Sequence, residues 1–439
     1  MDYGQARDFI KETGKYGSVY GLDSIRGLMA RLGDVHEQLS MIHVAGTKGK
    51  GSVCTMLAGV LQAAGYRTGV YLSPAVFAPE ESFQVGGGLI PQETFAQLAE
   101  KVQAACSAMT EEGLPHPTAF EVETAIAFCF FKQEGCDLVV LETGLGGTAD
   151  ATNLITRPVC SVITSISKDH MALLGNTLEE IAAAKAGIIK PGCPCVSAQQ
   201  EPKVKKVLEQ TAAAQNSELR FADDSRICSF LYKEENSEYA TKKLHGTLAL
   251  CGAFQKENLA CVLETLALLR ERGIVVTDEA IQDGLAKAWL PGRFEKISSA
   301  PDVYLDGAHN EGAALRLRET IQGCFVGRRV VYVIGIFADK EYEKLLSATL
   351  AEAAQVFTVT PNHPRALDGR QLAQLAQKYH PAVTYVPDLA QAAALAQEAA
   401  GKEGVVLAFG SFSFLPQFKR AVLKTVKNAG QTAGRSIEI

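Results

Sequence analysis

The chain has 439 residues, of which 47% are hydrophobic and 21% are charged, and this composition is typical of a soluble protein with two or three domains. A formal net charge of -6 argues against a nucleic-acid-binding protein, and no apolar segment approaches the roughly 18 residues of a membrane span. The N-terminus has no apolar signal core, and the 11 cysteines lie singly or, at Cys193 and Cys195, in a spacing that zinc sites do not use, so we expect reduced thiols in a cytoplasmic protein.

Apolar runs typical of buried strands alternate with helical patterns along the chain. From the N-terminus, the strand candidates are MIHVAG, TGVYLS, CDLVVLE, CSVITSI, CPCVSA, VYLDGA, VVYVIGI, VFTVT, AVTYVP and VVLAFGS. Helical patterns fall between them, for example QETFAQLAEKVQAAC, PKVKKVLEQTAAAQ and NLACVLETLALLRERG. Apolar strands separated by helices are typical of parallel sheets covered on both faces, so the sequence predicts an α/β protein.

Two stretches interrupt this alternation. Residues 225–250 are short, polar and β-like, and we predict that they form a hairpin region attached to the first sheet. The sequence LPG at 290–292 then marks a break before a second strand–helix series that begins with VYLDGA. We place the domain boundary near residue 296, which gives domains 1–296 and 297–439.

The stretch GTKGKGS at 46–52 follows the first strand candidate and precedes a helical pattern over 52–64. Its glycines allow backbone N–H groups to point inward at an anion, and the helix N-terminus adds partial positive charge. Lys50 offers a full charge to phosphates, and Ser52 offers a hydroxyl to phosphate or metal. The usual phosphate-loop motif has more residues between its first glycine and the GK pair, so a glycine-rich turn opening a helix is the alternative interpretation.

Three polar residues come just after strand candidates. Glu142 ends CDLVVLE, Ser73 closes TGVYLS, and His170 follows CSVITSI by a short loop. Ligands of open α/β sheets bind outside the carboxyl ends of the strands, so these side chains are candidates for one site. Taken singly, each has a structural alternative: a turn residue at Ser73, a helix cap at Glu142 and a packed histidine at His170.

Several motifs in this order resemble the folylpolyglutamate synthase/dihydrofolate synthase family of the Mur ligase superfamily. They are GTKGKGS (46–52), YLSP (71–74), TAFEVETA (118–125), LETGLGG with DATN (141–153), DHMALLGNTLEEIAAAKAGII (169–189), PGRFE (291–295), DGAHN (306–310), IFADKE (336–341) and PRAL (364–367). The resemblance implies an N-terminal P-loop-type ATPase domain with a mostly parallel sheet and a small β region. It also implies a C-terminal Rossmann-like α/β domain that carries the glutamate-ligase part.

By this resemblance, the chain is a magnesium-dependent ligase that uses ATP to convert the carboxylate of a folate or of dihydropteroate into an acyl phosphate, which L-glutamate then displaces. We expect a monomer whose partners are these small molecules, with no nucleic acid or membrane. Two magnesium ions are implied, and a monovalent cation is a further candidate cofactor. Phosphoryl transfer requires stabilisation of negative charge, which Lys50 and magnesium supply.

The resemblance also assigns roles to individual residues. The implied magnesium ligands are Ser73, Glu142 and His170, and the implied catalytic residues are Lys50, Lys185 and His309. Lys185 is implied to be carbamylated, although Ala184 stands where the family usually has glutamate; a solvated lysine is the alternative. The implied ATP-binding residues are Gly46, Thr47, Lys48, Gly49, Lys50, Gly51, Ser52, Asn258, Arg293 and Asp306, and the implied substrate-binding residues are Phe120, Glu121 and Ser411.

The chain departs from the family pattern near the expected acceptor. Ala75 replaces a histidine, while Ser82 and Thr148 replace arginines. A paralogue that activates another carboxylate is therefore a second hypothesis, and a nucleotide-binding module without turnover is a third. A dinucleotide-dependent oxidoreductase is disfavoured because GLGG at 144–147 lacks the required glycine spacing and the acidic ribose residue. Two alternatives remain open for the second domain and the acceptor site: Asp306 as a helix cap and Phe120 as a core residue.

Overall fold

The computed structural model describes residues 1–17 and 21–428, with side chains up to residue 424. The chain forms two compact units. Among the described residues, the first comprises those within Met1–Cys228, Ala240–Gly246 and Gln255–Ala288, and the second comprises Ser229–Tyr239, Thr247–Phe254 and those from Trp289 to residue 428. The boundary at 296 stays a prediction.

The first unit is built on an eight-stranded sheet with the order β4-β3-β2-β5-β1-β6-β7-β8. Five neighbouring pairs are parallel, and only the edge pairs β2–β3 and β3–β4 are antiparallel. The strands are β1 (Met41–Ala45), β2 (Thr68–Tyr71), β3 (Phe83–Val85), β4 (Gly88–Leu89), β5 (Leu138–Glu142), β6 (Cys160–Ile163), β7 (Cys195–Ser197) and β8 (Leu219–Phe221).

Helices flank this sheet, and their apolar faces supply its core. Several begin at a side-chain cap; in one of them Thr118 and Glu121 form a reciprocal capping box. The helices of this unit are α1 (Tyr3–Thr13), α2 (Asp23–Arg31), α3 (Lys50–Ala63), α4 (Gln92–Glu111), α5 (Ala119–Gln133), α6 (Met171–Leu174), α7 (Leu178–Ala186), α8 (Pro202–Ala214), α9 (Gln255–Glu271) and α10 (Asp278–Lys287). Within the described ranges, the helices include none whose length and hydropathy would allow it to cross a bilayer.

The strand order creates a crevice beside the first strand. The connection after β1 leads toward β2 on one side of the sheet, whereas the connection after β6 leads toward β7 on the other. Such a divergence of neighbouring connections is where open α/β sheets bind ligands. Residues 46–52 after β1 and residues 164–170 after β6 therefore meet at the same sheet edge.

The second unit contains a six-stranded sheet with the order β12-β13-β17-β14-β15-β16, in which only the β12–β13 pair is antiparallel. Its strands are β12 (Glu295–Ser298), β13 (Asp302–Leu305), β14 (Val330–Ile334), β15 (Gln355–Thr358), β16 (Val383–Tyr385) and β17 (Val405–Phe409). Its helices are α11 (Glu311–Cys324), α12 (Tyr342–Thr349), α13 (Gly369–Ala376), α14 (Leu389–Ala400) and α15 (Leu415–Asn428). The predicted fold class, two α/β parts with mostly parallel sheets, is confirmed.

The small β region differs from its prediction. Residues 225–250 form β9 (Ile227–Tyr232), β10 (Ser237–Thr241) and β11 (His245–Leu248), which make a separate three-stranded sheet with the order β11-β10-β9. The predicted attachment to the first sheet is therefore wrong. Exposed and half-exposed residues predominate along β9, and such a strand cannot be covered on both faces as the strands of a parallel sheet are.

Candidate active site

The loop at 46–52, called the phosphate loop below, depends on glycine for close packing. Gly49 has φ 88°, and a methyl group there would lie 2.1 Å from Asn258 Oδ1. A methyl group at Gly46 would lie 1.8 Å from Thr164 Oγ1. Both positions therefore require glycine, because a side chain would collide with a neighbour and because the backbone conformation disfavours other residues. The helix that follows begins at Lys50 rather than at Ser52, the predicted start.

Asn258 lies against the phosphate loop, although it is distant from it in sequence. Its amide donates to Gln255 Oε1 at 2.9 Å, and Gln255 Nε2 donates to Ser52 Oγ at 3.3 Å. All three side chains are buried. Together they join the start of α9 to the start of α3 and hold the Ser52 hydroxyl in a defined place.

The phosphate loop is also bonded to the segment that follows β6. The backbone N–H groups of Thr47 and Lys48 donate to the carbonyl oxygen of Ser165, and Lys48 Nζ lies 3.2 Å from Asp169 Oδ2. Thr47 and Ser167 exchange two further hydrogen bonds, each 3.1 Å long. This segment ends at His170, so the loop and the predicted metal ligand belong to one connected structure.

Lys50, Glu142 and Ser73 meet at the carboxyl edge of the sheet. Lys50 Nζ lies 3.8 Å from Glu142 Oε1, and the backbone N–H of Ser73 donates to Glu142 Oε2 at 3.2 Å. β2 ends at Tyr71 rather than at Ser73, which lies in the following turn. His170 has a left-handed backbone with φ 49° and a side chain that is 49% exposed, which excludes the packed-histidine alternative.

Within residues 1–17 and 21–428, no three His, Cys, Asp or Glu side chains cluster as a metal site would require. The predicted ligand set contains only two such side chains, because its third member is a serine. A carboxylate and a hydroxyl are hard oxygen ligands of the type that magnesium prefers. Glu142, held at the edge by Ser73 and faced by Lys50, is therefore compatible with a divalent cation bound together with phosphate.

Lys185 is buried rather than solvated. Its side chain is 3% exposed, and its Nζ donates to the carbonyl oxygen of Gly46 at 2.8 Å. Burial, reinforced by the positive charge of Lys50, lowers the pKa of the Lys185 ammonium to about 7. A substantial fraction of the side chain is thus a neutral amine near neutral pH, directly beneath the phosphate loop.

The GLGG turn after β5 is held by a buried polar chain. Asp150 accepts from Leu145 N at 2.7 Å and from the Thr152 hydroxyl at 2.5 Å, and this hydroxyl contacts His43 Nε2 at 2.8 Å. Burial raises the pKa of Asp150 and lowers the pKa of His43 to about 3. The imidazole of His43 is therefore neutral, and these hydrogen bonds fix the turn beside Glu142.

Phe120 and Glu121, the expected acceptor-binding residues, begin α5. A methyl group at Gly144 would lie 2.5 Å from the ring of Phe120, so this half-buried ring covers the turn after β5. Glu121 Oε2 accepts from Thr118 N at 2.7 Å as part of the capping box. Among the described residues, its buried Oε1 atom has no hydrogen-bond partner.

In the second unit, Arg293 and Asp306 lie at the same edge of the sheet: Arg293 precedes the amino end of β12, and Asp306 follows the carboxyl end of its antiparallel neighbour β13. The Arg293 guanidinium stacks 4.4 Å from the centre of the Phe412 ring, and a methyl group at Gly307 would lie 1.9 Å from this ring. Asp306 accepts from Phe294 N at 3.0 Å and from Ala308 N at 2.8 Å. Burial raises its pKa even though the nearby Arg293 acts to lower it.

The structure excludes the helix-cap alternative for Asp306. The helix α11 is capped by Asn310, whose side chain accepts from Ala313 N at 3.0 Å, so Asp306 is not its cap. His309 follows Asp306 closely, and its Nδ1 lies 2.7 Å from the Gly307 carbonyl oxygen. Ser411 is buried after β17 and contacts the Ser413 hydroxyl at 2.9 Å.

Five residues of these sites were not found from the sequence: Thr164, Asp169, Gln255, Asp150 and Phe412. Gln255 lies three positions before Asn258, on the same face of α9, and this spacing was a usable signal. Asp150 was visible as the first residue of DATN. Asp169 was likewise visible as the first residue of the motif at 169–189, whereas Thr164 and Phe412 contact their partners only because particular strands are neighbours, which no local pattern indicates.

Two protein-family models match the chain: the Mur ligase middle domain over residues 44–266 and the Mur ligase glutamate ligase domain over residues 292–412. A dihydrofolate synthase/folylpolyglutamate synthase of Bacillus subtilis is 33% identical over 430 residues, which cover 95% of this chain and 98% of that protein.

Two solved structures resemble the whole chain. Folylpolyglutamate synthase of Mycobacterium tuberculosis, complexed with ADP and AMPPCP, has a TM-score of 0.83 and 28% identity, covering 95% of this chain and 96% of that one. Escherichia coli FolC in complex with DHPP and ADP has a TM-score of 0.80 and 30% identity, covering 97% and 98%. The resemblance inferred from the motifs is confirmed: the chain belongs to the folylpolyglutamate synthase/dihydrofolate synthase family of Mur ligases.

Proposed function

We propose that the chain is an ATP-dependent ligase that adds L-glutamate to the carboxylate of a folate, of dihydropteroate, or of both. The observation that carries this proposal is the arrangement of Lys50, Glu142 and Lys185 around the phosphate loop of a chain in this family. The reaction joins the acid to the amine through an acyl phosphate and releases ADP and phosphate.

The phosphate loop has the chemistry for the first step. The first backbone N–H groups of α3 and the ammonium of Lys50 present positive charge at one place, whereas the N–H groups of Thr47 and Lys48 hold the loop to the Ser165 carbonyl. The acceptor carboxylate attacks the γ-phosphate, and Lys50 stabilises the charge that spreads over the transferring group. Lys48 adds a second ammonium near the same loop, where Asp169 orients it.

We propose Ser73, Glu142 and His170 as the residues that hold Mg²⁺. This ion would neutralise phosphate charge when it is bound. Glu142 already accepts from the Ser73 backbone N–H, so this carboxylate is oriented before any ligand arrives. We also propose that Lys185 is carbamylated, since its neutral amine can attack carbon dioxide and lose a proton to solvent, and the resulting carbamate would supply an oxygen ligand for a second ion.

For the remaining ligand contacts we propose Asn258, Arg293 and Asp306 at the nucleotide. A guanidinium forms bidentate hydrogen bonds to phosphate, and an aspartate accepts from ribose hydroxyls. His309 and Ser411 are proposed to contact the reacting groups or the amino-acid substrate. Their support is that both follow neighbouring strand ends, β13 and β17, together with Phe412.

A second hypothesis concerns the identity of the acceptor carboxylate. Thr148, which stands where an arginine is usual, donates through its hydroxyl to the Ala184 carbonyl at 3.0 Å and is engaged with α7. Ser82 is buried, and Ala75 carries no polar group. With these three cationic or aromatic donors absent, a ligase acting on a non-folate carboxylate is the second candidate.

An acceptor comparison tests the proposal. The full chain is supplied with Mg-ATP and L-glutamate, and with dihydropteroate, tetrahydrofolate or no acceptor, while phosphate release and product mass are followed. We expect acceptor-dependent phosphate release with a product heavier by one glutamyl residue, and both are expected to be far slower with Lys50→Ala. Phosphate release without a new amide from either acceptor would contradict the folate assignment, and binding of ATP without turnover of any acid would support a binding module instead.

A further inference from the structure

Two cysteine thiols of the second unit lie close together. The Sγ atoms of Cys251 and Cys324 are 3.9 Å apart, although 73 positions separate the residues in sequence. Both thiols approach the same acceptor: Cys251 Sγ lies 2.5 Å and Cys324 Sγ lies 3.4 Å from the carbonyl oxygen of Lys233. Since one carbonyl attracts both hydrogens, the sulfur atoms are held side by side.

The turn that carries this carbonyl is anchored at several points. The Tyr232 hydroxyl donates to the Glu319 carbonyl at 3.4 Å, and its ring packs against Gly323 at the end of α11. Glu234 pairs with Arg328 at 2.8 Å. The turn at 232–235 therefore stays fixed over the C-terminal end of α11, where Cys324 is the last residue.

Cys251 is fixed from its own side. The hydroxyl of the buried Ser237 donates to the carbonyl oxygen of Leu250 at 3.0 Å, which ties the backbone beside Cys251 to β10. Cys251 is buried and Cys324 is half-buried. The pair thus combines one thiol that reagents can reach with a second, shielded thiol directly behind it.

We propose that Cys251 and Cys324 are a redox-active dithiol that forms a reversible disulfide by exchange with a low-molecular-weight disulfide. The sulfur atoms need to approach by about 2 Å to reach the S–S bond length of about 2.05 Å. This is a small movement for two side chains that already share an acceptor. The disulfide would tie Thr247–Phe254 covalently to the end of α11, whether or not the chain is a ligase.

The exchange begins at Cys324. When Cys251 turns its S–H from the Lys233 carbonyl to the Cys324 sulfur, this hydrogen bond lowers the pKa of the Cys324 thiol, while the same bond and burial raise the pKa of Cys251. The Cys324 thiolate attacks one sulfur of the small disulfide and expels one small thiolate. Cys251 then loses its proton, attacks the Cys324 sulfur and expels the second small thiolate. The two protein thiols are oxidised, the small disulfide is reduced to two thiols, and the two thiol protons pass to these products.

The test uses the full chain and glutathione disulfide. After oxidation, free thiols are alkylated under denaturing conditions and the digest is mapped by mass without reductant. We expect one cross-linked species that joins the peptides of Cys251 and Cys324, lighter than the sum of the two by two hydrogen atoms and released by dithiothreitol. Cys228→Ser, which removes an exposed cysteine, is expected to keep this species, and Cys324→Ser to lose it.

Cys251→Ser separates the two steps. In this variant the mixed disulfide on Cys324 cannot be resolved, so glutathione is expected to remain attached there. The wild-type map decides the matter even if a serine variant fails to fold. Recovery of both cysteines in alkylated form after oxidation, or a cross-link between one of them and another cysteine, would overturn the proposal.

Discussion

Replacing Lys185 by methionine is expected to abolish carbamylation and turnover while making the fold more stable at low pH. The side chain is buried, and the pKa of its ammonium is about 7 rather than 10.5. At pH 7.5 such an amine is neutral in about three-quarters of molecules, against roughly one in a thousand for an ordinary lysine, so burial favours attack on carbon dioxide about 10³-fold.

The same shift sets the pH dependence of stability for the unmodified lysine. Its pKa is lower in the folded state, so the unfolded state binds more protons and stability rises as pH increases from about 7 toward 10.5. Below pH 7 the full penalty is present, and a difference of 3.5 pKa units corresponds to at most about 5 kcal/mol. Loss of the hydrogen bond to Gly46 offsets about 1 kcal/mol of the gain on substitution.

Two measurements check this reasoning. With ¹³C-labelled bicarbonate, the wild type is expected to show a carbamate signal that Lys185→Met lacks. In urea unfolding without carbon dioxide, Lys185→Met is expected to be more stable than the wild type at pH 6, by an amount that shrinks by pH 9. Lys190→Met is a matched control, because Lys190 also has a pKa lowered by burial but lies against Asn153. Wild-type turnover by Lys185→Met, or a stability difference independent of pH, would refute the assignment.

Three further predictions concern the phosphate-binding residues. Lys50→Met is expected to lower kcat by about 10²–10³-fold while the protein stays folded, since its ammonium stabilises the transferring charge. Stopped assays measure kcat, calorimetry checks that the protein is folded, and an unchanged kcat would contradict the role. Gly49→Ala is expected to weaken nucleotide binding at least about tenfold, as measured by titration calorimetry. A backbone φ of 88° costs an alanine about 1–2 kcal/mol, and the new methyl group would lie 2.1 Å from Asn258 Oδ1. Adding Asn258→Ala relieves the clash but not the strain, so full recovery would count against this explanation. Arg293→Lys is expected to raise KM for ATP about fivefold by losing the stacking on Phe412, worth about 1 kcal/mol; an unchanged KM would exclude that contribution.

Much of the fold followed from apolar runs, and the exceptions have physical causes. Each of the ten strand candidates overlaps a strand of the structure, because buried parallel strands are continuously apolar. The strands β3, β4, β8 and β12 were missed because they are two to four residues long and lie at sheet edges or next to them, where few apolar positions are needed.

Individual site residues were predictable where the end of a single apolar strand pointed to them, as at Glu142. Contacts between segments were not predictable in the same way. The Lys48–Asp169 pair exists because β6 lies beside β1, and Phe412 reaches Arg293 because β13 lies between β12 and β17. Hydrophobic periodicity indicates that these strands exist but leaves their order open.

The packing around Gly307 has a consequence for how related sequences can diverge. The Phe412 ring fills the space that a side chain at 307 would need, and the Arg293 guanidinium closes the other side. A larger residue at 307 is therefore tolerable only together with a smaller one at 412. We expect these two positions to covary, with a gain of side-chain volume at 307 matched by a loss of volume at 412.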